Sequence, residues 1–364
     1  MNNPAQPVEV TNQLIRQQFR DLRRALLVSH IRPDGDAVGS LLGLGLALRQ
    51  AGKDVRMVLV DGVPKNLRHL PGSQDVHRST GDLSQFDYVI VLDVSDMLRI
   101  GSGAAGKPLL GGRIPDLVID HHLTNLSFAR ANLVIPEAVA TSAIVAEYLP
   151  TWGLDYSPEI AAALLTGLIT DTIGFSTSNM TPTPLRLAAM LMERGAGLPD
   201  LYARALKSKT FEAARYWGQG LLKLQRECVS AGDDSKAAGC QIVWTSLTLA
   251  DRQAADYAGN DDADLVNVLS SIDCAVAIIF VEQKNDHIKV SWRSRPGIDV
   301  SRIALQFGGG GHAAAAGADI DGSLEDVQAQ VMQATRSALR RLQNRNHAAE
   351  APAQAQGSIP KRGD

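Results

Sequence analysis

Short apolar runs, hydrophobic on both faces, alternate along the first half of the chain with segments of helical periodicity. We predict a strand in each of these runs, at residues 26–29, 55–60, 88–92 and 117–119. Strands that are buried on both faces are typical of parallel sheets covered by helices. This order therefore predicts an α/β fold whose N-terminal domain contains a mostly parallel, doubly wound sheet.

Helical segments are predicted before, between and after these strands. Residues 1–12 look frayed, and the predicted helices cover residues 13–22, 37–50, 158–169 and 184–194. Pro158 supports the helix at 158–169, because proline is well placed in the first turn of a helix.

The pattern changes after about Thr210. A long helix is predicted to about Val229, followed by a polar linker at 231–238 and by strands near 241–247, 275–282 and 287–292. These elements predict a smaller C-terminal α/β domain with a mixed sheet. A tail rich in Ala, Gln, Pro and charge is predicted to be disordered. The predicted division is an N-terminal domain at 13–205, a connecting helix and linker at 206–235, a C-terminal domain at 236–342 and the tail at 343–364.

Charge and cysteine content restrict the class of protein. The formal net charge of −3 argues against a protein that coats long DNA or RNA, because such proteins present a strongly basic face. The three cysteines, Cys228, Cys240 and Cys274, have no close ligand spacing and are predicted to be reduced thiols. The first residues lack a signal-peptide pattern, and the apolar stretch at 41–48 is too short to span a bilayer. We therefore expect a cytoplasmic protein without a membrane anchor.

Acidic and histidine side chains follow the ends of the predicted strands. Because ligands bind at the carboxyl edge of an open parallel sheet, these side chains are expected to meet there. Taken singly, each has an ordinary explanation, such as a turn, a helix cap or a core histidine, but several coincide in successive βα units. The residues are His30, Asp34 and Asp36 after the first strand, Asp93 after the third, Asp120, His121 and His122 after the fourth, and Asp171 after an apolar helix.

Several carboxylates in one partly buried crevice repel each other and lose hydration. Divalent cations neutralise such a cluster and use the same oxygens as ligands. Gly35 allows a tight turn, so that Asp34 and Asp36 can point at different ions. Gly39 and Ser40 keep the start of the following helix small, and its N–H groups favour a phosphate.

These motifs resemble those of the DHH phosphoesterase superfamily, which is named after an Asp-His-His sequence such as residues 120–122. Phe307, the glycines at 308–311, His312 and the alanines at 313–316 resemble the glycine-rich signature of the DHH-associated C-terminal domain. The resemblance covers roughly residues 15–340. The short two-domain architecture is similar to the bacterial oligoribonuclease/pAp-phosphatase branch, the nanoRNases.

The resemblance implies a role for each residue of the N-terminal motifs. His30 and Asp34 would hold one metal ion, Asp36, His121 and Asp171 would hold the other, and Asp93 would bridge the two. His122 would face the substrate as a catalytic residue beside Asp93, and Asp120 would orient the histidine pair. The mixture of imidazole and carboxylate ligands suits Mn²⁺, with Mg²⁺ or Co²⁺ as alternatives. The expected reaction is hydrolysis of a phosphate ester by in-line attack, assisted by two ions.

The C-terminal domain is predicted to recognise the substrate. Basic residues are concentrated at 284–302, which indicates either a solvated charged strand or an arginine fork for phosphate. A glycine run is often only a flexible loop, but it also lets backbone N–H groups approach a phosphate closely. Trp292 occupies a position where the family leads us to expect a smaller apolar residue, so the substrate preference stays open. The predicted substrate-binding residues, around a cleft between the domains, are Arg293, Ser294, Arg295, Gly309, Gly310, Gly311 and His312.

Several substrates and functions remain open at this point. The resemblance implies short oligoribonucleotides, pApA, pGpG and 3′-phosphoadenosine 5′-phosphate (pAp), with cyclic di-AMP as an alternative, and it implies a homodimer. A manganese-dependent inorganic pyrophosphatase would leave the glycine-rich stretch unexplained. An exonuclease for long single-stranded DNA would need a basic channel. A catalytically silent nucleotide sensor would be favoured if metal ligands were replaced, yet all of them are present.

Overall fold

The computed structural model describes residues 8–103, 106–229 and 240–350, and the side chains of 240, 241 and 345–350 are outside that description. The chain divides into two compact units, Met1–Ser208 and Lys209–Asp364. The division falls at the start of the segment that was predicted to connect two domains.

The first unit contains a six-stranded, fully parallel sheet. Its strand order is β3-β2-β1-β4-β5-β6, the doubly wound order. Successive strands are added toward one edge of the sheet up to β3 and toward the other edge from β4 onward, so the switch point lies between β1 and β4. This confirms the predicted fold class. The strands are β1 (Arg24–Val28), β2 (Asp54–Val58), β3 (Val76–His77), β4 (Tyr88–Leu92), β5 (Leu117–Asp120) and β6 (Ala131–Val134).

Successive residues of the strands face two separate hydrophobic clusters. In β1, for example, Leu27 belongs to the cluster under the helices, while Leu26 and Val28 belong to a cluster on the other face. That second cluster is closed by loop residues such as Leu109 and Leu110. Both faces are therefore buried, which explains the continuous apolar runs in the sequence. The helices are α1 (Val8–Asp21), α2 (Gly35–Gln50), α3 (Thr141–Tyr148), α4 (Pro158–Asp171), α5 (Pro182–Glu193) and α6 (Leu198–Tyr202), which a π-helical turn follows at Ala203–Lys207.

The first helix begins earlier than predicted. Fraying was expected through residue 12, but α1 starts at Val8 and Asn12 is buried. The side-chain oxygen of Asn12 accepts a hydrogen bond of 2.8 Å from the indole of Trp152. This long-range bond, which the local sequence does not reveal, anchors the first turns of α1.

Helices α2 and α4 pack with their backbones in close contact. A Cβ atom on Gly39 would lie 2.6 Å from the carbonyl oxygen of Ala163 and 2.7 Å from the backbone nitrogen of Gly167. Because real Cβ contacts are longer than this, only glycine at position 39 allows this approach. The contact brings the start of α2 beside the end of α4.

The second unit contains a mixed six-stranded sheet in the order β11-β12-β10-β9-β8-β7. Only β8 and β9 pair in parallel, and the other neighbours are antiparallel. The predicted mixed α/β fold is therefore confirmed. The strands are β7 (Gln225–Val229), β8 (Cys240–Leu247), β9 (Val276–Lys284), β10 (His287–Ser294), β11 (Gly310–His312) and β12 (Ala315–Asp321); the helices are α7 (Phe211–Leu222), α8 (Leu249–Ala255), α9 (Leu265–Leu269), α10 (Ser301–Ala304) and α11 (Leu324–Glu350).

The predicted long helix from Thr210 to Val229 was wrong in its second half. Helix α7 ends at Leu222, and the last residues form β7, which pairs with β8. Glu227 in β7 makes a bidentate ion pair with Arg336 of α11, at 2.7 and 2.8 Å. Pairing with distant residues therefore decides the structure of this segment. The predicted linker at 231–238 lies outside the described residues.

The predicted disorder of 343–364 was wrong for its first residues, because α11 continues to Glu350. The side chain of Gln343 donates a hydrogen bond of 2.9 Å to the carbonyl of Val229, which ties the helix to β7. Residues 351–364 lie outside the described part of the chain. No helix in the described ranges combines the length and the apolar character that crossing a bilayer requires.

Candidate metal centre

The loop after β1 and the first turn of α2 provide one histidine and two aspartates. Asp34 caps α2, and its Oδ1 accepts hydrogen bonds from the backbone nitrogens of Asp36 and Ala37, at 3.1 and 3.0 Å. The Asp36 carboxylate is buried and accepts from the backbone nitrogens of Thr141 and Ser142, at 2.6 and 2.8 Å. The start of α3 therefore fixes Asp36, and the favourable field at a helix N-terminus stabilises its charge.

Asp93 follows β4 and lies at the middle of the cluster. It is buried, and its backbone has a left-handed φ of 59°, a conformation that aspartate tolerates better than most residues. Its Oδ2 lies 3.5 Å from Nε2 of His30, and its Oδ1 lies 3.7 Å from Nε2 of His121. The hydroxyl of Thr141 donates to the same Oδ1 at 3.1 Å.

Asp120 is fully buried and connects the two histidines that follow it. Its Oδ1 accepts from the backbone nitrogen of His121 at 2.9 Å and lies 2.7 Å from Nδ1 of His122. The side chain of Asn125 donates to Oδ2 at 2.6 Å. Nδ1 of His121 lies 3.3 Å from the carbonyl of Ala138, while Nε2 is the ring nitrogen near the carboxylates. Such partners fix the tautomer and orientation of a ligand histidine.

Asp171 ends α4, and its Oδ2 lies 3.6 Å from Nε2 of His121. The turn that follows it has three consecutive left-handed residues, with φ of 47° at Ile173, 67° at Gly174 and 67° at Phe175. For a β-branched residue such as Ile173 this conformation costs roughly 1–2 kcal/mol. Asp171 therefore stands beside a strained turn.

The structure brings the six predicted ligand side chains together. Each of three groups has ligand atoms within 4.8 Å of one another. Asp93 and His121 each belong to two groups, so the groups overlap. The mixture of carboxylate oxygen and imidazole nitrogen fits divalent ions such as Mn²⁺ or Mg²⁺. The groups are His30 with Asp34 and Asp93, Asp36 with His121 and Asp171, and Asp93 with His121 and His122.

The electrostatics of the cluster favour binding of cations. Burial, together with the charge of Asp93, raises the pKa of Asp36 to about 7. Burial likewise raises the pKa of Asp171 well above its usual range, and the charges of Asp36 and Asp34 add to the effect. Burial alone would lower the pKa of His30, but hydrogen bonds and charge interactions with Asp34 and Asp93 outweigh it and raise the pKa to about 10. Without a metal, the cluster therefore retains protons that a cation would replace.

Sequence reasoning missed Thr141, Ser142 and Asn125, which hold Asp36, Asp93 and Asp120. A signal for the first two was available, since Thr141 and Ser142 are small polar residues at the start of an apolar helical segment. Asp36, however, is held by their backbone nitrogens, which every residue but proline has. The identity of the side chains therefore gives little warning of this contact.

The predicted substrate-binding residues all lie in the second unit, where the alternation of side chains along the strands places some of them on opposite faces of the sheet. Arg293 of β10 pairs with Ala315 of β12, which pairs with His312 of β11, so these residues share one face of the sheet. The half-buried Arg293 guanidinium donates to the side chain of Asn267 at 3.1 Å. Ser294 points to the opposite face, and its hydroxyl donates to the carbonyl of Ile298 at 2.7 Å.

Arg295 is exposed and pairs with Asp273 at 2.8 Å. Gly311 has φ of 137°, and a Cβ there would lie 2.5 Å from the carbonyl oxygen of Ala315. A Cβ on Gly309 would lie 2.2 Å from the carbonyl oxygen of Gly317, so both glycines are explained by the hairpin itself. Around Gly310 there is open space, which leaves this part of the face accessible.

Trp292, the residue whose size was unexpected, is fully buried in the core under α11 and stacks on Phe307 with 6.4 Å between ring centroids. As a neighbour of Arg293 in the strand, it points away from the face that carries Arg293 and His312.

The chain resembles known proteins in both sequence and structure. The DHH family, N-terminal domain, matches residues 24–168, and the DHHA1 domain matches residues 252–341. A Thermus thermophilus protein named bifunctional oligoribonuclease and PAP phosphatase NrnA is 32% identical over 86% of this chain and 90% of its own length. Its Bacillus subtilis namesake is 25% identical, over 81% of this chain and 88% of its own. A crystal structure of an exopolyphosphatase-related protein from Bacteroides fragilis superimposes with a TM-score of 0.82, at 25% identity, over 94% of this chain and all of that one.

Proposed function

The chain belongs to the DHH family of phosphoester hydrolases, and from this premise we propose that it cleaves short oligoribonucleotides, linear dinucleotides such as pApA and pGpG, and pAp, using two divalent metal ions. The observation that carries this proposal is the position of Asp93, whose two carboxylate oxygens lie 3.5 Å from Nε2 of His30 and 3.7 Å from Nε2 of His121, because a carboxylate between ligands of two ions can bridge them. We assign Mn²⁺ as the preferred ion on the basis of the donor set. A homodimer, expected from the resemblance, is part of the proposal and is tested by the mass in solution.

Each ligand has a proposed place in this centre. His30 and Asp34 would hold one ion, Asp36, His121 and Asp171 would hold the other, and Asp93 would contact both. When bound, the ions would activate water and neutralise charge on the phosphate. Asp36 and Asp93 enter this centre already oriented, because Thr141 hydrogen-bonds to both of them.

His122 is the proposed proton donor to the substrate. Burial alone would lower its pKa, but the hydrogen bond that His122 donates to Asp120 and the charge of Asp93 outweigh it and raise the pKa above the ordinary histidine value. Asp120 lies at Nδ1, so Nε2 is the nitrogen assigned to the phosphate oxygen or the leaving group. Asp120 thus acts by orienting His122, and Asn125 holds Asp120 in turn.

Substrate recognition is assigned to the second unit. Arg293, held by Asn267, would bind a phosphate through its planar fork, and His312 with Gly310 would contact the same ligand from the neighbouring strand. Ser294, Arg295, Gly309 and Gly311 complete the proposed set. Of these, Gly309 and Gly311 act by allowing the hairpin to close.

The proposal is tested by the rate of hydrolysis of a substrate panel with added Mn²⁺. The panel contains pAp, pApA, pGpG, a short RNA, cyclic di-AMP and inorganic pyrophosphate. Hydrolysis of pAp and of the linear dinucleotides is expected. Hydrolysis of pyrophosphate alone would move the assignment to a pyrophosphatase, and a preference for cyclic di-AMP would make the protein a cyclic-dinucleotide phosphodiesterase. Tight binding of nucleotides without turnover would identify a sensor.

Metal binding is expected to release protons at pH 7. The raised pKa values of Asp36, Asp171 and His30 mean that the metal-free cluster is partly protonated, and each proton must leave before its group can bind an ion. The apparent affinity for Mn²⁺ should therefore increase with pH. Isothermal titration calorimetry in buffers of different ionisation enthalpy measures the number of protons released. Binding enthalpies that do not depend on the buffer would contradict this prediction.

Replacement of Arg293 by lysine is expected to raise KM for pApA about tenfold and to change kcat by less than about threefold. Lysine keeps the charge but loses the planar fork and the bond that Nε makes to Asn267. Arg302→Lys is the matched control, because Arg302 is exposed and pairs only locally with Asp299. If the two substitutions changed KM equally, Arg293 would not be a substrate contact.

A further inference from the structure

Ile173 combines two features that a purely structural residue lacks. Its backbone is left-handed, although its side chain is β-branched, and 43% of the residue is exposed to solvent. A strained residue is usually tolerated because its side chain packs in the core, but an exposed isoleucine gains little from packing. Glycine or asparagine would adopt the same backbone at lower cost. Strain of this kind is concentrated at functional sites.

The surroundings hold the strained turn in place. The buried hydroxyl of Thr172 donates to the carbonyl of Leu168 at 2.6 Å and accepts from the backbone nitrogen of Phe175 at 3.0 Å. On the other side, the Tyr202 ring lies so close to Gly174 that a Cβ there would be 2.6 Å from it. These contacts fix the direction in which Ile173 leaves the backbone.

A second exposed apolar residue stands beside the metal centre. Leu123 directly follows His122, and it is 82% exposed. Ile173 lies two residues after Asp171, whose Oδ2 is 3.6 Å from Nε2 of His121. The side chains of Leu123 and Ile173 therefore start from backbone positions two residues after His121 and Asp171, whose side chains lie close to each other. We call the pair formed by Leu123 and Ile173 the apolar lip.

We propose that the apolar lip packs against the nucleobase of the substrate and that Ile173 is its main contact. The inference rests on the proposed function, because a nucleotide bound with its phosphate at the cluster must place its base nearby. The charged groups of the centre account for the phosphate and offer nothing to the flat, weakly polar face of a base. An aliphatic side chain covers such a face without hydrogen bonds. The lip therefore favours substrates that carry a base over those that lack one, and it does not discriminate between different bases.

The test compares variants that lose the strain and the apolar contact with one that keeps both, and it follows the strain through Tm and the apolar contact through kcat/KM. Ile173→Asn and Ile173→Gly remove both the strain and the apolar contact, whereas Ile173→Val keeps both. For each variant, we would measure Tm and kcat/KM with Mn²⁺ for pApA and for an abasic counterpart that carries the same phosphates. Leu185→Asn is the matched control, because Leu185 is 53% exposed on α5.

Ile173→Asn and Ile173→Gly are expected to raise Tm by about 2–4 °C. They should lower kcat/KM for pApA about tenfold, the size of effect that one aliphatic contact gives, and by less than about twofold for the abasic substrate. Leu185→Asn should behave like the wild type, whereas Ile173→Val, which keeps most of the aliphatic contact, should lose less kcat/KM for pApA than the Asn and Gly variants. Leu123→Ser, at a position too exposed to affect folding, should lower kcat/KM for pApA about threefold.

Equal losses on the two substrates would mean that the turn only supports Asp171, and the inference would be wrong. It would also be wrong if the Asn and Gly variants cleaved pApA like the wild type. A wild type that cleaves pyrophosphate but no nucleotide overturns the proposed function and the lip with it. An active wild type with unaltered variants overturns the lip alone.

Discussion

Replacement of Asp93 by alanine is expected to lower kcat for pApA by roughly a thousandfold, about 4 kcal/mol of activation free energy. Asp93 lies between His30, a proposed ligand of one ion, and His121, a proposed ligand of the other, so its loss should affect both proposed ion positions at once. Its Oδ2 faces His30 and its Oδ1 faces His121, at 3.5 and 3.7 Å. Steady-state hydrolysis and the number of Mn²⁺ ions bound per chain measure the effect.

Two further variants make this prediction specific. Asp96→Ala removes a carboxylate only three residues away, which caps the following turn by accepting from the backbone nitrogen of Leu98 at 2.9 Å. It should retain at least about half of the activity, since losing a cap affects stability more than chemistry. Asp93→Asn keeps the size of the side chain and one carbonyl oxygen for the hydroxyl of Thr141, so it separates loss of the ligand from loss of packing. An Asp93→Ala enzyme that keeps a tenth of the wild-type rate would refute the bridging role.

Replacement of Gly39 by alanine is expected to destabilise the first unit by about 3 kcal/mol, the upper end of the usual cost of overpacking. The new methyl group would meet the backbone of α4 at Ala163 and Gly167, and backbone atoms cannot rotate away as a flexible side chain can. The helices would have to separate. Thermal unfolding should show Tm lower by about 6–12 °C.

The control for this prediction is Gly218→Ala in α7, where a Cβ would meet nothing within 4 Å. Alanine favours a helix interior, so this variant should be neutral or slightly stabilising. Because the start of α2 carries Asp36 and the end of α4 carries Asp171, Gly39→Ala should also weaken Mn²⁺ binding. Unchanged stability together with unchanged affinity would contradict the close packing of the two helices.

The sequence predicts much of the first unit because its signals are local. An apolar run predicts a buried strand, and the carboxyl ends of parallel strands meet at one edge, so Asp93 and His121 are brought together by topology alone. The short strands β3 and β6 escape prediction, because the first has two residues and the second is buried only at alternate positions. Helix α3 was missed along with β6. For this reason sequence reasoning missed the partners of Asp36, although the small polar residues Thr141 and Ser142 signal the start of a helix.

Other features depend on contacts that no short segment contains. The left-handed backbone of Ile173 is invisible in the sequence, because the adjacent Gly174 is the residue that would ordinarily take such a conformation. The separation of Arg293 from Ser294 follows from β-sheet alternation once the strand is known, but the sequence predicts a strand that ends at residue 292 and so does not distinguish them. The strand β7 reads as helix until its pairing with β8 is seen.

The close packing of α2 on α4 has a consequence for the newly made protein. The first ligand of the cluster is residue 30 and the last is residue 171, so a nascent chain lacks a complete centre until α4 has been synthesised and packed across α2. A dissolved cation therefore meets all the proposed ligands only in a unit that is already assembled, although His30, Asp34 and Asp93, the proposed ligands of one ion, are present once residue 93 has been made. Translation must deliver nearly half of the polypeptide before both proposed ion positions can form.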